Sequence, residues 1–503
     1  MQPSPSSADV TLLLEGSYPF VRGGVSAWVH ALIEGLPDFS FSLVHLGAEK
    51  TEDEQIRYKL PPNVRNLQCH YLVGDMNLGE PRPQVGDAAY FSASEQLHTW
   101  FREPEGEPEC EWLDQVVVQK NRSEAASTND FFYSKAAWKQ ICDSYSRNCP
   151  DASFPAYFWS VRNMHTPLMK LASIARSVPA TRVFHAVTTG YAGLLGAILQ
   201  QRTGRPLILT EHGIYTKERK IELESRFLRD APDGLVETSG VGMEYYHETW
   251  LRMFEGIGRL TYLASRPIIS LYEQNRQRQI RDGADAERTM IIPNGVDISR
   301  FEPLRARHPE QTPMVLGLIG RIVPIKDIKT FIRTVGILAQ RLPEVQGWLI
   351  GPEEEDPTYV DECKALVHSL GLQDRIRFMG FQKVEDILPQ MGLMALTSIS
   401  EAFPLVIVES LAAGLPVVAT DVGACRDLLE GNEPEDRALG PAGAIVPMVD
   451  HDALAHVAYG LLTDRTRWLA AQQAGITRIE RYYQQSRVID GYRAIYNQRM
   501  GEL

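Results

Sequence analysis

Short apolar runs recur along this chain, each closed by a loop and followed by a stretch with helical periodicity. Val10–Leu14 reads as a strand, Glu15–Gly24 as a glycine-rich loop, Val25–Leu36 as a helix and Phe39–Leu46 as the next strand. The rhythm resumes with strand Arg182–Ala186, helix Gly190–Gly204, and strands Pro206–Thr210, Pro267–Ser270 and Thr289–Ile292. A second series opens at Met314–Ile319 and runs through Lys326–Arg341, Gly347–Ile350, Ile376–Met379, Leu393–Leu396, Val417–Ala419 and Ala444–Val446. Runs this short and this apolar, alternating with helices, predict parallel sheets covered on both faces. The fold class is therefore α/β, with two Rossmann-like domains facing a central cleft at the carboxyl ends of their strands.

The expected boundaries follow from composition. Residues 1–305 form the first domain, with a helical insertion at about 50–163, where the rhythm breaks. Residues 306–480 form the second domain, beyond a basic, proline-bounded linker at Pro303–Pro313. Residues 481–503 form a C-terminal helix expected to pack back toward the first domain. The insertion gathers aromatic residues, among them Trp100, Phe101, Trp112, Phe131, Trp138, Tyr157, Phe158 and Trp159. These make either its own core or a face for an acceptor or partner.

At 503 residues the chain can bury two or three full cores. Its net charge of -13 argues against nonspecific nucleic-acid binding. The cluster Arg276, Arg278 and Arg281 reads as a solvated helix face or a polymer contact. The start, Met1–Ser7, lacks the basic and apolar regions of a signal peptide, and no apolar run approaches the roughly 20 residues that span a bilayer. Six scattered cysteines without C-x-x-C or Cys/His spacing suit reduced thiols in a cytoplasmic protein and give no zinc signature.

Chemistry gathers where strands end. Glu401 and Glu409 bracket seven residues before a helix stopped by Gly414 and Pro416. A helix entry offers free N–H groups, and carboxylates beside them suit a polyhydroxylated ligand. The same pair also fits an amphipathic helix with one solvated and one capping glutamate. Gly320-Arg321 and Lys326 place two cations on a strand-to-helix turn, suited to a diphosphate or simply to solvent. His212, in Glu211-His212-Gly213, closes a first-domain strand. It either packs or points into the cleft, and so does His185. Gly23 and Gly24 would let backbone amides approach a phosphate or sugar, or would make an ordinary tight turn.

In this order, Gly23-Gly24, Glu211-His212-Gly213, Pro293-Asn294-Gly295-Val296-Asp297, Gly320-Arg321 with Lys326, and Glu401 with Glu409 resemble the retaining GT-B glycosyltransferases of family 4. The resemblance covers most of the chain outside the insertion. Within the family, the opening Leu14–Val29 and the tract Thr210–Tyr215 look closest to enzymes of bacterial Pel exopolysaccharide synthesis.

The resemblance implies a UDP-hexose donor, retention at the anomeric carbon, and neither metal nor cofactor. It implies that Arg321 and Lys326 bind the donor diphosphate and Glu409 the ribose. Glu401 and the backbone from Ala402 through Phe403 and Pro404 to Leu405 would hold the sugar, with His212 near the reacting carbon. Gly23, Gly24 and Asn294 would join the donor site. A polysaccharide acceptor and a membrane-embedded synthesis and export complex at the cytoplasmic face are the implied partners.

Competing readings are an NAD-dependent oxidoreductase, which lacks the G-x-G-x-x-G fingerprint, and a nucleotide-sugar-binding scaffold without turnover. A family 4 enzyme acting on a glucan, lipid or small acceptor is the third.

Overall fold

A computed structural model describes residues 7–50, 55–73, 83–103, 106, 108, 113–118, 124–149, 153–221 and 240–502. Trp112, Cys110 and the stretch 222–239 of the polar region after His212 lie outside these. The chain forms two compact units. One comprises residues 1–270, 276–291 and 493–503, and the other residues 271–275 and 292–492.

The first unit is built on a seven-stranded sheet. In chain order its strands are β1 (Ala8–Glu15), β2 (Phe41–Gly47), β3 (Val64–Tyr71), β4 (Thr181–Ala186), β5 (Leu207–Glu211), β6 (Ser265–Ser270) and β7 (Thr289–Ile291). The sheet order is β3-β2-β1-β4-β5-β6-β7, and every pairing is parallel. Parallel neighbours need crossovers, which here are helices such as Gly24–Gly35 and Tyr191–Thr203. Val10, Leu12, Leu13 and Leu14 are fully buried, as a central strand covered on both faces requires.

β3 corrects the expected insertion. Residues 64–71 pair with β2 as an edge strand, so the helical excursion begins after Tyr71 rather than near residue 50. Half-buried along its length and rich in polar residues, β3 lacks the apolar run that marks the central strands. The helices that follow are Ala88–Arg102, Glu124–Tyr133, Lys135–Asn148 and Phe154–Ser177. The last of these runs straight through the boundary expected at residue 163. Ser134 caps the helix Lys135–Asn148, its hydroxyl oxygen accepting from Ala137 N at 3.0 Å.

The second unit carries β8 (Val315–Ile319), β9 (Gln346–Ile350), β10 (Ile376–Phe378), β11 (Leu393–Leu396), β12 (Val417–Thr420) and β13 (Gly443–Val446). These form a parallel sheet in the order β10-β9-β8-β11-β12-β13. The helix Ile328–Arg341 buries Ile328, Phe331, Ile332 and Val335 completely against this sheet's core.

The expected linker is not a linker. Pro303 lies inside the helix Ile298–Arg305, whose cap Asp297 accepts from Ser299 N at 3.0 Å. Phe301 and Leu304 are buried in the second unit's core, and the division between units falls before Ile292. Buried apolar anchors, invisible in a basic and proline-rich stretch, made this segment part of the domain. At the far end Arg493–Leu503 belongs to the first unit, where Arg493 pairs with Asp38.

Candidate functional site

In the second sheet β8 leads to β9 on one side while β11 leads to β12 on the other, so the strand order reverses between β8 and β11. Open α/β sheets bind ligands outside the carboxyl ends of their strands at such a reversal. β8 runs into Gly320-Arg321. Gly320 N donates to Ile350 O at 2.8 Å, and a Cβ on Gly351 would lie 2.0 Å from Gly320 O. The backbones leaving β8 and β9 are that close, and Gly351, at φ +150°, has no alternative residue.

The chain then makes a tight 3₁₀ turn, Pro324–Lys326. Asp327, in the left-handed region at φ 44°, caps the helix Ile328–Arg341 by accepting from Thr330 N at 3.3 Å. Aspartate tolerates this backbone better than most residues. The turn is tied to the loop after β11, since Thr397 Oγ1 donates to Lys326 O at 2.7 Å and Ile399 N to Ile325 O at 2.9 Å. Lys326 Nζ thereby reaches Glu401 Oε1 at 2.5 Å, and Ser398 Oγ donates to the same oxygen at 2.7 Å. Gly423 clamps the other side of the loop: a Cβ there would lie 2.4 Å from the carbonyl oxygens of both Glu401 and Ala402.

Glu401 is thus neither a solvated nor a capping glutamate. It precedes the helix Leu405–Ala412, whose first turn carries no side-chain cap and follows the buried Phe403 and Pro404. Glu409 lies in the second turn of that helix. Burial pushes its carboxyl up to about 7, opposed by the Arg300 guanidinium and reinforced by Glu385. Arg321 stands apart from the Lys326–Glu401 pair. It is about half exposed and donates from Nη1 to both oxygens of Glu355, at 2.5 and 2.7 Å. Asn294 is buried with Oδ1 unpartnered. Its neighbours serve the fold, because Val296 N donates to Tyr483 O at 2.9 Å and Val296 O accepts from Gln485 N at 3.0 Å.

The first sheet reverses between β1 and β4. Glu15 ends β1 and accepts from Ala192 N at 3.1 Å and Tyr215 OH at 3.0 Å. Burial raises its carboxyl despite these donors. A Cβ on Gly190 would lie 2.6 Å from both Glu15 Oε2 and the Tyr215 ring. Gly24 opens the helix Gly24–Gly35, Gly23 is extended at its cap, and no side chain caps the first turn.

His212 follows β5. It is buried, lies edge-on to Trp28 at 4.5 Å, and among the described residues neither ring nitrogen has a hydrogen-bond partner. Burial lowers it to about 4, against the effect of the Val187 backbone, so the imidazole is neutral near pH 7. His185 is a packing residue. Its nitrogens meet Tyr496 OH at 2.6 Å and Thr210 Oγ1 at 2.9 Å.

The sequence assigned no role to Glu211, yet it is the hub of this region. Its carboxylate accepts from Thr189 Oγ1 (2.8 Å), Tyr262 OH (2.8 Å), Gln279 Nε2 (3.0 Å) and Tyr215 N (3.3 Å). Ser398, which meets Glu401, was missed as well, since a lone serine in a loop carries no pattern. Among the described residues no group of three His, Cys, Asp or Glu side chains is placed to hold a metal.

Comparison with known proteins adds to this geometry. A family model described as "Domain of unknown function (DUF3492)" matches residues 8–287, and one described as "Glycosyl transferases group 1" matches residues 313–464. A D-inositol 3-phosphate glycosyltransferase of Actinosynnema mirum is 28% identical over 258 residues, covering 48% of this chain and 57% of that protein. The chain spans less than two thirds of the curated relatives it matches first.

Among solved structures, Anabaena HepE in complex with UDP and glucose aligns with a TM-score of 0.56 at 17% identity, over 97% of this chain and 99% of that one. Sucrose-phosphate synthase from Thermosynechococcus elongatus aligns with a TM-score of 0.59 at 16% identity, over 98% and 100%. Two Rossmann-like domains with these neighbours make the fold GT-B, and residues 313–464 of the second unit match the group 1 glycosyltransferase model.

Proposed function

We propose that this chain, which belongs to the DUF3492 family, is a UDP-hexose-dependent retaining glycosyltransferase that extends a polysaccharide. The observation that carries the reading is the contact of Lys326 with Glu401 at the strand-order reversal of a group 1 glycosyltransferase domain. A cation and a carboxylate at that point suit the diphosphate and the sugar of a nucleotide sugar. Lys326 and Arg321 take the diphosphate, on which negative charge grows as its bond to the anomeric carbon breaks. Glu409 accepts from the ribose hydroxyls, and Glu401 with the backbone of Ala402–Leu405 accepts from and donates to the sugar. The complex of Anabaena HepE with UDP and glucose supports UDP as the carrier.

In this reading His212 contacts the transferred sugar as a neutral imidazole, and the amides opening the helix at Gly24 approach the diphosphate. Retention proceeds on one face: the acceptor oxygen bonds the anomeric carbon as the diphosphate oxygen leaves, and the acceptor proton passes to the diphosphate. Glu401 then positions substrate and forms no covalent bond. No metal enters the scheme.

For the acceptor, the opening Leu14–Val29 and the tract Thr210–Tyr215 resemble PelF, the cytosolic glycosyltransferase of Pel exopolysaccharide synthesis, and support a growing exopolysaccharide at the cytoplasmic face of the inner membrane. Among the described residues no helix is long and apolar enough to cross a membrane, so a membrane-embedded synthesis and export complex would receive the product. The exposed rings of Trp138 and Trp159 are the proposed docking surface. The relatives named for D-inositol 3-phosphate favour a second reading, a small phosphorylated polyol acceptor.

Calorimetric titration with UDP, UDP-glucose, UDP-N-acetylglucosamine, UDP-N-acetylgalactosamine and NAD tests the donor assignment, followed by UDP release with oligosaccharide or inositol phosphate acceptors. UDP binding weakened by both Lys326→Ala and Glu409→Ala is the expected result. Absent UDP binding, or tight NAD binding, overturns the reading.

A further inference from the structure

The helical layer of the first unit holds a cavity, open to solvent on one side, that the proposed transfer does not use. It measures about 130 Å³, on the order of the roughly 150 Å³ cavity that accepts a benzene ring in a protein core. Its wall is apolar over Val116, Phe131, Ile141, Met164, Leu168 and Met253. One rim reaches solvent, where Glu95 pairs with Arg147 at 2.6 Å and Glu248 with Arg252 at 2.5 Å. These two pairs neutralise themselves, and Arg102, also in the lining, donates to Thr99 Oγ1 at 3.4 Å.

Polar side chains interrupt this wall, among them Gln140, Ser144, Asn148 and two imidazoles. His98 Nε2 and His165 Nε2 are 2.7 Å apart. That separation fits a hydrogen bond and is too short for a metal ligated by both nitrogens at about 2.0–2.1 Å in tetrahedral geometry. His165 Nδ1 lies 2.8 Å from the Val161 carbonyl, which has no hydrogen to give, so Nδ1 carries the proton. Burial lowers both imidazoles, which are therefore neutral with one N–H each. His165 Nε2 must accept, and His98 Nε2 donates to it. The arrangement is held by Phe131, stacked on His165 at 4.8 Å.

It follows that His98 Nδ1 is a bare acceptor. Among the described residues nothing donates to it, in a side chain that lines the cavity. An acceptor beside a mostly apolar, ring-sized space suits a ring that carries one donor.

We propose that this cavity is a binding site for a small aromatic or alicyclic ligand with one O–H or N–H donor, its ring against Phe131, Met164 and Leu168 and its donor on His98 Nδ1. The assignment stands independently of the nucleotide-sugar reading, because none of these residues belongs to the donor site.

Phenol and toluene have nearly the same shape and differ in the donor. The test is calorimetric titration of the full-length protein with each, alongside thermal denaturation. Phenol is expected to bind about tenfold more tightly than toluene, the worth of one hydrogen bond, and to raise the midpoint. His98→Leu should bring phenol down to the affinity of toluene, and Met164→Trp should abolish both by filling the cavity. Equal affinities in the unsubstituted protein overturn the role of His98. Failure of both compounds to bind or to shift the midpoint at millimolar concentration overturns the site. Should either variant fail to fold by circular dichroism, the contrast between phenol and toluene in the unsubstituted protein decides alone.

Discussion

Lys326 Nζ donates to Glu401 Oε1 at 2.5 Å, joining two loops at the carboxyl ends of strands that neighbour each other across the reversal of the second sheet. Both side chains are mostly covered, 21% and 14% exposed. Each charge therefore depends on the other for much of the hydration it has lost.

Removing one partner should cost more than removing both. Lys326→Met leaves Glu401 with Ser398 as its donor and is expected to destabilise the second unit by about 1–3 kcal/mol. The double variant Lys326→Met/Glu401→Gln should recover most of that loss, because no charge remains uncompensated. UDP affinity should fall at least tenfold in both, about 1.4 kcal/mol. Urea denaturation and calorimetry read the two effects separately. A double variant no more stable than Lys326→Met would show that the pair is uncoupled.

Arg321 gives the opposite signature. Its ion pair with Glu355 is about half exposed at both ends, and such pairs contribute little. Arg321→Ala should change stability by less than about 0.5 kcal/mol while weakening UDP binding by roughly tenfold, as expected for loss of a charged contact to a phosphate. Unchanged UDP affinity would remove Arg321 from the donor site.

Glu409 makes stability depend on pH. Its carboxyl rises from 4.5 to about 7 in the folded chain, so the folded state holds the proton more tightly than the unfolded one. The contribution is present in full below 4.5 and is lost as pH rises through 7. Relative to Glu409→Gln, the unsubstituted protein should lose up to about 3 kcal/mol of stability between pH 4.5 and 8. Denaturation curves at pH 5 and pH 8 check it, and parallel curves would show that Glu409 ionises normally.

The second unit has one fully buried guanidinium whose removal should be severe. Arg478 donates to Asp436 Oδ1 at 2.6 Å, to Leu429 O at 2.8 Å, and to Asp436 O and Gly440 O at 3.0 Å. Arg478→Met strands a buried carboxylate and should cost about 3–5 kcal/mol. A much smaller shift in the denaturation midpoint would mean that Asp436 finds water or another donor.

The sequence by itself determined the two parallel sheets and where each motif falls on them. A short apolar run flanked by helices is a local signal, and parallel pairing with crossovers follows from it. Gly320, Lys326, Glu401 and His212 all stand at strand ends for that reason. β3 escaped because an edge strand need not be apolar, and the helix Ile298–Arg305 escaped because its anchoring contacts with the core are not written in its proline. Tertiary structure alone decided the partners. His185 and His212 are the same residue type in equivalent places, yet His185 is occupied by Tyr496 from the far end of the chain, while the ring nitrogens of His212 meet no partner among the described residues. Glu211 became a hub through donors drawn from four separate segments. Periodicity reports which way a residue faces, but what it meets there depends on chain segments hundreds of residues away.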